Sequence, residues 1–253
     1  MMISQKVSVI TVCYNAAGII ENTIKSVIHQ TYENLEYIIV DGASNDSTMA
    51  VVAKYEEHIS CLISEHDKGI YDAMNKGIKI ATGEWIILMN SGDIFADNNV
   101  LENVFRDMIP NEITFLYSDV YYTLLNGKKI RGYSDFESGK LLHQAIIYRR
   151  FLHIEHGYYI VSKPIIISDY LFFLRIPKEQ VKKIDTVICL AECGGASRRF
   201  RSGEHALCAD YIFRHRSFSN LLINILKGRI KDALPMGLRL WLKSIVRKNQ
   251  YME

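Results

Sequence analysis

The sequence predicts an α/β fold with a mostly parallel central sheet and helices on both faces. Over residues 7–108, short β-branched runs alternate with segments of helical period. The connections between them are short, as in repeated strand–helix units. Polar loops follow the strands, and in such sheets ligands bind beyond the carboxyl ends of the strands.

Residues 7–12, Val-Ser-Val-Ile-Thr-Val, read as a buried strand. Ile19, Ile20, Ile24, Val27 and Ile28 then recur at helical spacing. Residues 37–40 form a second short strand ending at Asp41, and Asp46-Ser47-Thr48 caps a helix to Tyr55. Residues 59–63 are a third strand. Residues 70–81 are helical, with Gly83 closing the C-terminus. Residues 85–89 are a fourth strand and 100–108 another helix. The strands lead into Tyr14-Asn15, the loop 41–46, the loop 65–69 and the loop 90–93, so polar residues collect on one edge.

Beyond residue 113 the pattern loosens. Segments 113–122 and 128–133 flank Asn126-Gly127, a hairpin signal. Residues 143–149 are a strand candidate, Ser168-Asp169 opens a helix to Leu174, and 187–191 are the last strand candidate. Neither an internal repeat nor a linker interrupts the body, so residues 1–213 are expected to form one domain. Residues 214–253 are a basic tail with nine Lys/Arg and two Asp/Glu, against a net −5 for the rest. Leu221, Leu222, Ile225 and Leu226 make one apolar helical stripe of this tail. After Pro235-Met236-Gly237, Leu238, Trp241, Leu242 and Ile245 make a second, opposite a row of Arg239, Lys243 and Arg247.

Composition narrows the classes. The chain has 253 residues, 49% of them apolar or aromatic and 23% charged, the balance of a globular protein. No apolar run reaches the roughly eighteen residues of a spanning helix. Met1 to Lys6 lacks the apolar core of a signal peptide, so a cytoplasmic protein is expected. The five cysteines are scattered; Cys189 and Cys193 stand alone in their spacing, and reduced, packed thiols are expected. The chain holds no G-x-x-x-x-G-K-[ST] and no G-x-G-x-x-G after the first strand, against an ATPase or a nicotinamide dehydrogenase. It holds neither H-E-x-x-H nor G-x-S-x-G. A sheet edge rich in Asp and Asn suits a divalent metal and sugar hydroxyls better than bare phosphate.

Five ordered segments carry a family resemblance. Val7-Ser8-Val9-Ile10-Thr11-Val12-Cys13-Tyr14-Asn15 is followed by Ser26-Val27-Ile28-His29-Gln30-Thr31-Tyr32 and by residues 36–48 around Asp41-Gly42-Ala43-Ser44-Asn45-Asp46. Asp67-Lys68-Gly69-Ile70-Tyr71-Asp72-Ala73-Met74-Asn75-Lys76-Gly77 and residues 81–93, ending Asn90-Ser91-Gly92-Asp93, complete the set. Together they resemble the family 2 glycosyltransferases, strongly to residue 95 and more loosely to 200. The nearest likeness is to small bacterial transferases of capsule, exopolysaccharide or O-antigen synthesis. The resemblance implies a GT-A type nucleotide-sugar-binding fold and an inverting mechanism. A carboxylate would take the acceptor proton, and Mg²⁺ or Mn²⁺ would neutralise the leaving diphosphate.

On that resemblance Asp93 is the metal ligand, although the earlier carboxylates of the fuller D-x-D pattern are missing; alternatively it caps the next helix. Asp41 would read the nucleobase, favouring uracil, or else bond its own loop amides. Thr11, Tyr14, Asn15, Ser91 and Gly92 would flank the donor. Asp67 and Lys68 would approach ribose and diphosphate, with Asn75 and Lys76 near phosphate. Asp169 would be the catalytic base, with a helix N-cap as the alternative. His143 and Gln144 would lie on the acceptor side. Gly194-Gly195-Ala196-Ser197 resembles a late loop of the family, and Arg198 and Arg199 would pair with diphosphate. The implied reaction moves a sugar from a nucleotide sugar, most simply a UDP-sugar, to a lipid-linked oligosaccharide. A non-catalytic nucleotide-sugar or polysaccharide binding module and a sugar-nucleotide hydrolase are the rival classes. The tail, over residues 219–249, fits an anionic membrane surface at the inner face of the cell membrane. Its alternative is a helical hairpin packed on the body or on a second subunit of a homo-oligomer. Nucleic acid is not an expected partner, because the body is acidic.

Overall fold

The computed structural model describes residues 5–123, 129–162, 167–192, 202–213 and 217–233. The first half runs β1 (Val7–Cys13), α1 (Ile20–Ile28), β2 (Leu35–Asp41), α2 (Thr48–Val52), β3 (Cys61–Ser64), α3 (Ile70–Ile80), β4 (Trp85–Leu88), β5 (Ile94–Phe95) and α4 (Val100–Val104). It continues with β6 (Phe115–Tyr117), β7 (Val120–Thr123), β8 (Lys129–Gly132), β9 (Ile146–Arg149), α5 (Leu152–His156), α6 (Ser168–Phe173), β10 (Val181–Lys183) and β11 (Cys189–Glu192). Two further helices are α7 (Ser202–Phe213) and α8 (Phe218–Ala233).

Seven strands make the main sheet in the order β10-β6-β9-β4-β1-β2-β3. β1 pairs in parallel with β2 and β4, and β2 with β3. β9 runs against both β4 and β6, while β10 follows β6. The sheet is therefore mixed, with β9 the reversed strand. A second sheet has the order β5-β11-β7-β8. Its antiparallel β7–β8 pair, with Val120 opposite Gly132 and Thr123 opposite Lys129, is the hairpin expected at Asn126-Gly127, whose turn lies outside the described residues.

The period of two along β1 builds a core on each face. Val7, Val9 and Cys13 pack with Ile20, Ile24 and Val27 of α1, Val52 of α2 and Val100 of α4. Ile10 and Val12 pack on the other face with Met74 and Ile78 of α3, Leu152 of α5 and Phe172 of α6. Each buried Val, Ile or Leu contributes roughly 1.5–3 kcal/mol. A one-residue slip of β1 would exchange the two faces, so these cores fix its register.

Several elements differ from their sequence reading. The helix after Asp46 ends at Val52 and continues as a 3₁₀ segment, Ala53–His58. β3 starts at Cys61, and α4 stops at Val104. Gly83 does not close α3: the helix ends at Ile80, and its cap residue Ala81 is already extended at φ −57° and ψ 134°. Gly83 is instead required for close packing, because a Cβ there would lie 2.6 Å from the Ser8 nitrogen.

The chain divides into two compact units, 1–200 and 201–253. That division falls ahead of the 213/214 boundary suggested by charge. In the second unit the Tyr211 ring of α7 meets the Phe218 ring of α8 at 5.9 Å. No helix among the described residues is long and apolar enough to cross a membrane. Cys13 and Cys189 are buried and Cys61 and Cys208 exposed, all four as free thiols. Cys193 and the second apolar stripe of the tail lie outside the described residues.

Candidate active site

The reversal of β9 builds the site. Ile147 lies opposite Ile87, and Arg149 opposite Trp85, so the start of β9 points to the edge where β4 ends. His143 opens the 3₁₀ turn before β9 and thereby reaches the loop after β4. Its Nε2 lies 2.7 Å from Asn90 Nδ2 and 3.7 Å from Asp93 Oδ2. Its Nδ1 lies 3.6 Å from Asp169 Oδ2. The imidazole thus stands between the two carboxylates expected to hold metal and to take the acceptor proton. Burial works against its charged form. Contact with Asp93, together with the charges of Asp93 and Asp169, outweighs burial and raises His143 above the ordinary imidazole value.

Asp169 lies in the first turn of α6, but the Ser168-Asp169 pair is not an N-cap. The cap position is Ile167, which makes no side-chain cap bond, and both acid and serine are helical. Ser168 Oγ accepts from the Ile160 amide, and Asp169 Oδ1 accepts from the Tyr71 hydroxyl at 2.7 Å and the Tyr170 amide at 2.9 Å. Burial, followed by the charge and hydrogen bond of Asp169, raises the Tyr71 phenol well above its ordinary range. Tyr71 therefore remains a proton-bearing donor.

The opposite edge is different. Asp41 ends β2 fully buried. Its oxygens accept from the Ser44 amide at 3.0 Å, the Ser64 hydroxyl at 2.7 Å, the Ser44 hydroxyl and the Cys13 thiol. Through these bonds it shapes loop 41–46. Asn15, in the left-handed region at φ 50°, accepts from the Asn45 amide at 3.0 Å. Tyr14 is 61% exposed at the end of β1. Asp67 accepts from the Gly69 amide, and its other oxygen sits against Gly42, where a Cβ would come within 2.4 Å. The Lys68 amide donates to Asp72, and its side chain is exposed. Ser91 is held by the Val12 carbonyl, and Gly92, at φ 97°, donates to the Thr23 hydroxyl.

Three sequence candidates have other employment. Thr11 is fully buried; its hydroxyl donates to the Met89 carbonyl at 2.8 Å and lies 3.1 Å from the Tyr37 hydroxyl. Asn75 is buried, and its amide clamps the Tyr159 backbone at 2.8 and 3.0 Å. Lys76 joins the His66 carbonyl and Glu65 at 2.8 and 2.9 Å, and approaches Asp72. These bonds tie the three residues to the scaffold. Gln144 is buried beside His143, and its Oε1 has no partner. Arg198, Arg199 and the loop 194–197 lie outside the described residues.

Tyr71 was not distinguished by the sequence, although it sits within a quoted motif. Its partner is 98 positions away, and no local pattern announces such a contact. Asn90 has a faint signal, as the strand-end residue of a loop already singled out.

The glycosyl transferase family 2 profile matches residues 8–173, about two thirds of the chain. The chain belongs to this family. This family 2 glycosyltransferase is 26% identical over 249 residues to a "PGL/p-HBAD biosynthesis glycosyltransferase" of Mycobacterium bovis, covering 94% of the chain and 88% of the relative. It is 36% identical over 127 residues to the Escherichia coli "UDP-Glc:alpha-D-GlcNAc-diphosphoundecaprenol beta-1,3-glucosyltransferase WfgD", covering 50% of the chain and 49% of WfgD. Its fold is that of the GT-A transferases. S. aureus TarS 1-349 with UDP-GlcNAc superposes with a TM-score of 0.68 at 20% identity, over 82% of this chain and 65% of that one. The Pyrobaculum calidifontis mannosyltransferase PcManGT, solved with GDP-Man and Mn²⁺, gives 0.67 at 17% identity, over 85% and 66%. The chain thus spans about two thirds of those solved chains.

Proposed function

We propose that this transferase moves a sugar, with inversion, from a UDP-sugar to a hydroxyl of a lipid-linked oligosaccharide in bacterial polysaccharide synthesis. The observation that carries the reading is the convergence of Asp93, His143 and Asp169 at the carboxyl edge of β4. One carboxylate is needed to accept a proton and another to hold the cation that meets the leaving diphosphate, and the imidazole stands between them. The acceptor oxygen bonds to the anomeric carbon as the carbon–diphosphate bond breaks on the opposite face. Asp169 takes the hydroxyl proton. Tyr14, Asn15, Asp67, Lys68, Ser91 and Gly92 border the donor, over the loop that Asp41 shapes. The name of WfgD, and the UDP-GlcNAc bound to TarS, support a UDP-sugar donor; WfgD supports a lipid-linked acceptor.

The residues fit one divalent cation held jointly with the donor. Among the described residues no cluster of three or more metal-ligating His, Cys, Asp or Glu side chains occurs. Asp93 remains as a carboxylate, and the Asn90 Oδ1 nearby is buried without a partner. Asp93 would hold Mg²⁺ or Mn²⁺, which supplies positive charge where the leaving diphosphate gathers negative charge. PcManGT, solved with Mn²⁺, supports this.

The tail completes the reading. α8 exposes Phe218, Leu222, Ile223 and Leu226, and its neighbourhood is rich in Lys and Arg. Residues 219–249 would rest on an anionic inner-membrane surface, where the acceptor is anchored. Homo-oligomers of the chain remain compatible with this placement. The test is release of UDP from UDP-glucose and UDP-GlcNAc, with and without a lipid-linked glycan fraction. Release only with acceptor supports the transferase. Release without acceptor marks a hydrolase, and tight binding without release marks a binding module; either outcome overturns the proposal.

A further inference from the structure

We propose that Tyr71 is the positioning residue of the base: its phenol fixes one oxygen of Asp169 so that the other collects the acceptor proton. The inference rests on the reading of Asp169 as the base. Oδ1 of Asp169 already accepts two hydrogen bonds, from the Tyr71 hydroxyl and the Tyr170 amide. Oδ2 faces the His143 Nδ1, at the longer distance of 3.6 Å. Two hydrogen bonds to one oxygen restrain the carboxylate's rotation, and the lone pairs of the other oxygen then favour a set direction. General-base catalysis needs that fixed direction as much as it needs a proton acceptor.

The helix that carries Tyr71 is itself well anchored. Tyr71 and Asn75 are four residues apart and share one face of α3. Asn75 grips the Tyr159 backbone with both ends of its amide. The next residue, Ile160, donates to Ser168, which is adjacent to Asp169. The Tyr71 ring lies 5.6 Å from the Tyr159 ring. One face of α3 therefore grips both ends of the segment that delivers the base.

The first turn of α3 is also tied to the donor-side loop. The Lys68 amide donates to Asp72, and the Gly69 amide donates to Asp67. Lys76 holds Glu65 and the His66 carbonyl. One helical turn thus joins the donor loop to the base. In the reaction the acceptor O–H bond breaks, the new oxygen–carbon bond forms as the carbon–diphosphate bond breaks and the diphosphate leaves, and the proton passes to Asp169 Oδ2. Tyr71 keeps its own proton throughout, as its raised phenol pKa allows.

The test uses the full chain and a UDP-sugar and lipid acceptor on which the wild type turns over. Tyr71→Phe removes the hydroxyl and keeps the ring. Its kcat should fall about 10- to 100-fold, the size of one hydrogen bond to a charged group. UDP affinity by calorimetry should stay within about twofold, as expected where uniform binding is untouched. Tyr55→Phe is the control; its hydroxyl donates to Glu21 and not to the base, and its kcat should match the wild type. In an Asp169→Asn background, Tyr71→Phe should have no further effect, because the two residues act as one unit. Wild-type kcat in Tyr71→Phe, or losses that simply add in the double variant, would overturn the positioning role. So would a parallel fall in UDP affinity, or an equal fall in Tyr55→Phe. Full activity of Asp169→Asn would instead overturn the reading of Asp169 as base, which keeps the two failures distinct.

Discussion

The edge at loops 14–15, 41–46 and 65–69 and the pocket around His143 are built from the same residue types, but they use them differently. At the edge the polar side chains bind one another. Asp41 is enclosed by Ser44, Ser64 and Cys13, Asn15 is tied to Asn45, and Lys76 to Glu65. In the pocket, short bonds such as His143 to Asn90 at 2.7 Å stand beside longer contacts and unfilled atoms. His143 stands 3.7 Å from Asp93 and 3.6 Å from Asp169, beyond normal hydrogen-bond length. Asn90 and Gln144 each keep a buried oxygen without a partner. A polar group whose hydrogen-bonding capacity is filled by the fold shapes a surface, whereas a group left partly unfilled can still act on a ligand. Motif membership alone does not separate the two.

The sharpest way to break this comparison is at the base. Asp169→Asn keeps the shape but cannot accept the proton, and kcat should fall about 10²- to 10⁴-fold with UDP affinity unchanged. A variant that turns over normally and only melts earlier would move Asp169 to the scaffold class. Asp93→Asn comes next. Loss of the cation's hold should cost several kcal/mol of transition-state stabilisation, about 10²- to 10³-fold in turnover. EDTA should impose a similar loss on the wild type, and Mn²⁺ should reverse it. Full activity of Asp93→Asn in EDTA would show that the leaving diphosphate is stabilised by other groups.

The third prediction concerns stability on the α6 side. His153 is buried between Phe172, stacked at 4.4 Å, and Tyr158, and burial pushes its imidazole down to about 4. The unfolded chain, with an ordinary value of 6.5, takes up the proton first as pH falls. Stability from the neutral ring is therefore full above about pH 6.5 and is lost progressively down to about pH 4. The loss at pH 5 should be about 2 kcal/mol. Urea unfolding at pH 7 and pH 5 measures it. An unchanged pH slope in His153→Phe would place the linked proton elsewhere.

The smallest expected effect is at Thr11. Thr11→Val removes the buried hydroxyl that donates to Met89 and should cost about 1 kcal/mol of stability. UDP affinity should not change, because the side chain does not reach the cleft. A fall in UDP affinity with normal stability would return Thr11 to the donor site and erase part of the contrast.

Much of this protein follows from its sequence alone. Alternation of apolar residues along 7–12 and 37–40, with helical periods between, determines strands that bury two faces and helices that cover both. The motif order from Val7 to Asp93 determines the family, and the strand-end loops determine the edge at which polar residues gather. These are properties of local period and chain order, which a sequence displays directly. The assignment of individual roles is not local. Thr11, Asn75 and Lys76 carry the polarity of ligand-binding residues, yet their partners Met89, Tyr159 and Glu65 fill them. That the Tyr71 hydroxyl reaches Asp169 across 98 positions is not legible in the sequence at all. Even the direction of β9, which brings His143 to the carboxyl edge, depends on pairing with β4 and β6. Only the tertiary structure decides these points, because whether a polar atom is filled or free depends on what the fold places within hydrogen-bonding distance of it.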